Sequence, residues 1–154
     1  YVENDLRLDK YFAETDEKGF RKNKKAGSNN YLCTFRVGEI YLTAAEAAAR
    51  LGELSQARTR LLELMRKRYA PEAYEAKSVV VNAMDKEALV QEILDERARE
   101  LAFEGHRWFD LRRSTRPRLE KVLDGTRYVL EENDARYTLA IPKEAIEANP
   151  GLLN

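Results

Sequence analysis

Glu96, Glu100 and Glu104 recur every four residues through ILDERARELAFEGHRWFDLRR, the stretch from Ile93 to Arg113. One helical turn rises about 5.4 Å, so neighbouring carboxylates fall loosely within the roughly 5–9.5 Å that separates the paired acids of a glycosidase. Catalytic carboxylates, however, open into a cleft and come from different elements. These stand among leucines on one helix, with arginines beside them that would keep them ionised and occupied. At about 100° per residue, Val90, Ile93, Leu94 and Leu101 share a face with Arg97, Glu100 and Glu104. If the helix runs on past Gly105, Arg107 and Leu111 join that side. Ions inside an apolar arc must be paired, because an isolated buried charge costs more than a fold can spare. Spacings of three and four residues let the pairing run along the helix itself. The expectation is therefore a structural ion network of Arg97, Glu100, Glu104 and Arg107, with no catalytic residue.

Other chemistry is thinner. His106 is the one histidine and Cys33 the one cysteine, so no first-row metal site can be assembled from them. Glu131-Glu132-Asn133-Asp134 is acidic enough to attract calcium but lacks an EF-hand pattern. No phosphate-binding glycine loop or nucleophile elbow occurs, and no cofactor is expected. Trp108 and Phe109 could stack on a sugar ring; filling the core beneath a helix pair is the preferred role. Tyr69, Tyr74 and Tyr128 read as loop tyrosines and are the candidate ligand platform, with no companion polar cluster to identify a site.

The elements that would position these groups are mostly helical. Residues 36–51 form an alanine-rich helix ending at Gly52, a natural C-cap. Ser55 is placed to N-cap a second helix reaching about Tyr69. The short hinge makes the two antiparallel, with Ala44, Ala45 and Ala48 facing Ala57, Leu61 and Leu64. The spacing of Tyr41, Ala45, Gly52, Ala57 and Leu61 is close to one tetratricopeptide unit. Pro71 breaks the pattern across 70–84, where Val79–Val81 suggests a short extended piece. Asp85 then caps a long helix from Lys86 to about Glu104. That helix and the segment around Trp108–Leu111 would stack on the first pair to share one core.

Beyond Pro117, Tyr128–Glu131 and Tyr137–Ile141 alternate enough for a hairpin around Asn133-Asp134. Pro142 starts a last short helix, Lys143–Ala148. At the other end, Lys22–Asn30 reads as an exposed loop and Tyr31–Phe35 as an extended segment. The organisation is thus a loop-rich segment (1–35), a helical-repeat core (36–113) and a C-terminal appendage (114–154). The fold class is mainly α, built of tetratricopeptide-like hairpins with a small C-terminal β-hairpin or loop appendage.

The 154 residues suffice for a domain with a real core. Lysine plus arginine equals aspartate plus glutamate, 27 each, so the basic excess of a nucleic-acid binder is missing. No apolar run approaches the roughly 20 residues of a membrane span, and no signal segment opens the chain.

Four ordered segments resemble the SusD/RagB family. Asn4-Asp5-Leu6-Arg7 is similar to its upstream Asp-x-Arg element. Arg36-Val37-Gly38-Glu39-Ile40-Tyr41-Leu42 with Ala45-Glu46-Ala47 resembles its second. Glu96-Arg97, Glu100-Leu101, Glu104-Gly105, Arg107 and Asp110–Arg113 resemble its hallmark, and Ala140-Ile141-Pro142, Asn149-Pro150 and Asn154 its ending. The departures are Gly38 for alanine, Ala140 for proline and Leu153 for glutamine.

The resemblance implies a non-catalytic, lipid-anchored protein of the bacterial outer membrane. Such a protein binds a glycan or peptide nutrient and delivers it to a SusC-like TonB-dependent transporter. Tyr1 would lie inside the family's second half, so the chain is expected to be a C-terminal portion without its lipid anchor. The rival classes are an intracellular helical-repeat adaptor and a glycoside hydrolase.

Overall fold

The computed structural model describes residues 1, 4–25, 36–149 and 151. Cys33, the extended piece expected at Tyr31–Phe35 and most of the expected basic loop lie outside the described residues. The part of that loop which is described carries a strand. The elements begin with α1 (Arg7–Tyr11) and an antiparallel pair, β1 (Phe12–Thr15) and β2 (Arg21–Asn23). Four helices follow: α2 (Val37–Leu51), α3 (Leu54–Met65), α4 (Pro71–Ala83) and α5 (Lys86–Glu100). After α6 (His106–Arg113) come β3 (Leu119–Leu123), β4 (Thr126–Leu130), a 3₁₀ turn at Ala135–Tyr137, and α7 (Lys143–Ala148). The fold is mainly α, with helical hairpins and a small C-terminal β-hairpin, as the sequence implies.

α2 and α3 form where alanine and leucine recur at helical spacing. Gly52 ends α2 in the left-handed conformation (φ 85°), and its N–H reaches the carbonyls of Ala48 and Ala49, the role glycine fills best at this position. α3 begins at Leu54, just before the expected cap Ser55, and stops at Met65. Ala45, Ala48 and Ala49 of α2 are buried, as are Ala57, Leu61 and Leu64 of α3. Small side chains let two helices approach closely, and Leu42, Met65, Tyr69, Val81, Leu89 and Ile93 complete the same hydrophobic cluster.

Three expectations fail here, each for a local reason. Residues 71–83 are helical throughout, with no extended piece at Val79–Val81. Pro71 stands at the first turn, where its missing N–H has no intrahelical role, so it starts α4 rather than breaking a helix. α5 is capped by the Asp85 side chain, which accepts from the Ala88 N–H at 2.9 Å, but it ends at Glu100. Phe103 and Gly105 take positive φ (67° and 83°) in the turn that follows, so Glu104 and Arg107 are not on the α5 face. The hairpin is β3–β4, one step earlier than Asn133-Asp134. Leu123 pairs with Thr126 across Asp124-Gly125, both at positive φ, the geometry that a two-residue hairpin turn favours.

The chain divides into two units, Tyr1–Arg107 and Trp108–Asn154. The helical cluster belongs to the first. In the second, Trp108 stacks on buried Tyr137 with ring centroids 5.2 Å apart and planes 10° from parallel. The Tyr137 hydroxyl donates to the Pro117 carbonyl. Trp108 thus packs within the C-terminal unit. Phe109 is exposed.

Candidate functional site

Glu100 is the hub of the first unit. It comes from the last turn of α5 and is 0 % exposed, yet three guanidiniums from other elements converge on it. Arg68 forms a bidentate pair, Nε to Oε2 at 2.8 Å and Nη2 to Oε1 at 2.9 Å. Arg36 Nη2 donates to Oε1 at 2.7 Å and Arg7 Nη1 to Oε2 at 3.1 Å. Arg7 also forks onto Asp5, at 2.9 Å to each oxygen, and pairs with Glu96 Oε1 at 2.7 Å. The other oxygen of Glu96 accepts from the Tyr69 hydroxyl and from Arg99 Nε, both at 2.9 Å. Glu104 is held by Lys25 and Arg36.

Local structure explains how these residues meet. Asp5 forms an isolated antiparallel bridge with Tyr69, and the Leu6 N–H reaches the Arg68 carbonyl at 2.8 Å. The N-terminal segment is thereby tied to the chain just after α3. Arg36 is the N-cap residue of α2. The last carbonyls of α5, which have no intrahelical donor, accept from side chains of the preceding segments. The Glu100 carbonyl receives Arg36 Nη1 at 3.0 Å and Lys25 Nζ at 2.6 Å, and the Ala102 carbonyl receives Lys25 at 3.0 Å. The Tyr1 hydroxyl donates to the Arg99 carbonyl. Cations at a helix C-terminus also complement the helix dipole.

The electrostatics follow from this packing. Burial alone would push the Glu100 pKa up; the Arg68 hydrogen bonds and the charges of Arg68, Arg36 and Arg7 outweigh it and hold the carboxyl below its ordinary range. Burial works against the Arg7 charge, but Asp5 and Glu96 raise its pKa above the usual arginine value. Burial, then Glu96, pushes the Tyr69 hydroxyl up. Lys25 falls below the usual lysine value because its desolvation exceeds what Glu104 returns. A carboxylate saturated by three arginines has neither a proton to donate nor a free lone pair to act as base. This arrangement does structural work.

Of the four residues expected in the network, three are placed in or beside it. Glu100 and Glu104 share Arg36. Arg97, largely buried, turns the other way, to Glu39 Oε1 and Thr43 Oγ1 of α2, each at 3.2 Å. Arg107 is exposed, and the turn before α6 takes it off the α5 face. Pairing within the helix is a minor part: Arg99 pairs with Glu96 and Glu92 of α5. The main partners are Asp5, Arg7, Arg36 and Arg68. Asp5, Arg7 and Arg36 occur in the sequence segments that resemble the family, but no periodicity links them to a glutamate 93 or 64 residues away. Arg68 carries no sequence signal.

The candidate tyrosines separate. Tyr69 is 2 % exposed and its hydroxyl is engaged on both sides, accepting from Arg7 Nη2 and donating to Glu96. It is a core residue rather than a loop platform. Tyr74 is half-buried on α4, beside Tyr69 along a cleft of about 590 Å³ between α3 and α4. Tyr128 is exposed on β4 of the C-terminal unit. His106 Nδ1 lies 3.7 Å from Glu39. In the acidic stretch 131–134, Asp134 is held by Arg136 and Glu131 by Arg118. Among the described residues no group of three or more His, Cys, Asp or Glu could hold a metal ion, and no helix is long and apolar enough to cross a membrane.

The sequence profile of the SusD family matches residues 3–154. A search of curated proteins found no match. SusD/RagB proteins are non-catalytic binding proteins with a nutrient-binding role at the outer membrane. With that match running over nearly the whole length, the chain belongs to the SusD family.

Proposed function

We propose that this chain is the C-terminal helical scaffold of a lipid-anchored surface protein that captures a glycan or peptide and passes it to a SusC-like TonB-dependent transporter. The observation that carries the reading is the family match over residues 3–154. The ion cluster supports it, because it braces the helices without exposing a reactive acid or base. The scaffold holds a binding surface in place, and transfer to the transporter follows from release rather than from bond cleavage. Retention of a TonB-dependent barrel by tagged full-length protein in a detergent pull-down tests the delivery step. The expected result is co-purification of one barrel protein, and repeated failure to retain any barrel would overturn it. Screening the same protein against glycan and peptide libraries tests the capture step. Binding without product formation is expected, and turnover of a bound glycan would contradict it.

A further inference from the structure

Residues 4–25, which carry α1, β1 and β2, are fastened to the helices by charge. Within this segment only Asp5 and Arg7 are buried, and its apolar side chains are half-buried or exposed. A segment that docks by hydrophobic burial shows the reverse. Arg7 enters a socket that the helical part supplies. Its Nη1 meets Glu96 Oε1 at 2.7 Å and Glu100 Oε2 at 3.1 Å, and its Nη2 donates to the Tyr69 hydroxyl at 2.9 Å. Two backbone bonds flank the socket, from the Leu6 N–H to the Arg68 carbonyl at 2.8 Å and from the Ala70 N–H to the Asn4 carbonyl at 3.0 Å. At the far end of the segment Lys25 donates to the Glu100 and Ala102 carbonyls. Between these two pins, among the described residues, Phe12–Lys24 make their hydrogen bonds and ion pairs within the segment itself. The Phe12 ring meets Phe103 edge-on at 5.6 Å.

Withdrawing Arg7 strands no charge on either side. Arg7 leaves together with Asp5, whose carboxylate holds its Nε and Nη2. Behind it, Glu100 keeps Arg68 and Arg36, and Glu96 keeps Arg99. The severe cost of breaking a buried ion pair comes from the partner left uncompensated, and here each half departs with its own counter-ions. We propose that residues 4–25 are a detachable strap, latched by Arg7 in the Glu96–Glu100–Tyr69 socket, which opens as a unit while the helices stay folded. Opening bares two carboxylates and a tyrosine hydroxyl that a guanidinium satisfies. The inference stands apart from nutrient capture.

The test is native-state hydrogen exchange, read by NMR, on the whole chain. The Leu6, Leu8 and Ala70 amides should report one shared opening, about a hundredfold or more faster than the amides of Leu42–Ala49. Ile93→Val, which removes one buried methyl, should quicken exchange in Leu42–Ala49 about fivefold and leave the strap rates alone. Arg7→Ala should quicken Leu6 and Ala70 about a hundredfold, the scale of an orphaned buried partner. Arg7→Lys, which keeps the charge and loses the fork, should do so about tenfold. In the Arg7→Ala chain, methylguanidinium at about 20 mM, enough for millimolar affinity, should return part of the lost protection, and methylammonium should not. Strap and helix amides that exchange at one rate in the parent overturn the proposal, as do strap rates that follow Ile93→Val. So do Arg7 variants that leave the strap rates unchanged, or an Arg7→Ala chain that loses its helical circular dichroism. Equal effects of the two cations overturn the socket as the latch.

Discussion

Three guanidiniums on one buried carboxylate make Glu100 the residue on which the first unit's electrostatics turn. Removing one member of a buried ion set leaves its partners uncompensated, typically at about 3–5 kcal/mol. Glu100→Gln keeps the shape and loses the charge, so urea denaturation should show a loss of about 3 kcal/mol, the low end of that range. The same residue sets an acid limit. Because its folded pKa lies below its unfolded value, its contribution is complete above about pH 4.3 and declines as pH falls through the folded value. Urea midpoints of the parent should therefore fall as pH drops below about 4.3, and those of Glu100→Gln should fall less steeply. Equal slopes would mean that other carboxylates carry the acid response. Gly38 gives a second test. A Cβ there would sit 2.7 Å from Glu100 Oε1, although the family pattern usually has alanine at this position. Gly38→Ala should cost about 1–3 kcal/mol, the usual penalty for overpacking, measured by the same denaturation.

Among the elements, what could be read in advance depended on whether the signal was local. α2 was legible because alanine spacing, a terminal glycine and a short hinge agree with one another. Gly52→Ala should lower stability by roughly 1 kcal/mol, the cost of a side chain in the left-handed conformation, seen as a lower melting temperature with an unchanged circular dichroism spectrum. α4 is hidden from local pattern because Pro71 looks like a breaker, although at the first helical position it is compatible with a start. The hairpin position is ambiguous in sequence because Asn133-Asp134 also resembles a turn, while Asp124-Gly125 meets the stricter condition of two positive φ angles between paired strands. The end of α5 is not marked in the sequence, because the apolar spacing continues past Glu100. The chain instead turns at Phe103 and Gly105, and the carbonyls left at the end of α5 are taken by Lys25, Arg36 and Tyr1, groups distant in sequence.

Across the whole molecule, burial is concentrated in α2, α3 and α5, while β3 is exposed along its length. Native-state hydrogen exchange should follow that distribution. Amides of Leu42–Ala49, Ala57–Met65 and Leu89–Leu94 should exchange last, near the global limit, and those of Leu119–Leu123 and Lys143–Ala148 among the first. Protection of β3 equal to that of α2 would contradict this. By itself, the sequence determined the helical class, the α2–α3 hairpin, the final helix and the family, because each rests on spacings within a few turns or on ordered short motifs. It also determined that Glu100 and Arg97 need partners, since charges in an apolar arc cannot stand alone. Only the tertiary structure decided which partners those are. Asp5, Arg7, Arg36 and Arg68 reach the cluster across sequence separations that no helical period encodes, and Arg107 leaves it because the chain turns at Phe103 and Gly105. Ion pairing has no fixed sequence distance, so the hub became visible only once the helices were packed.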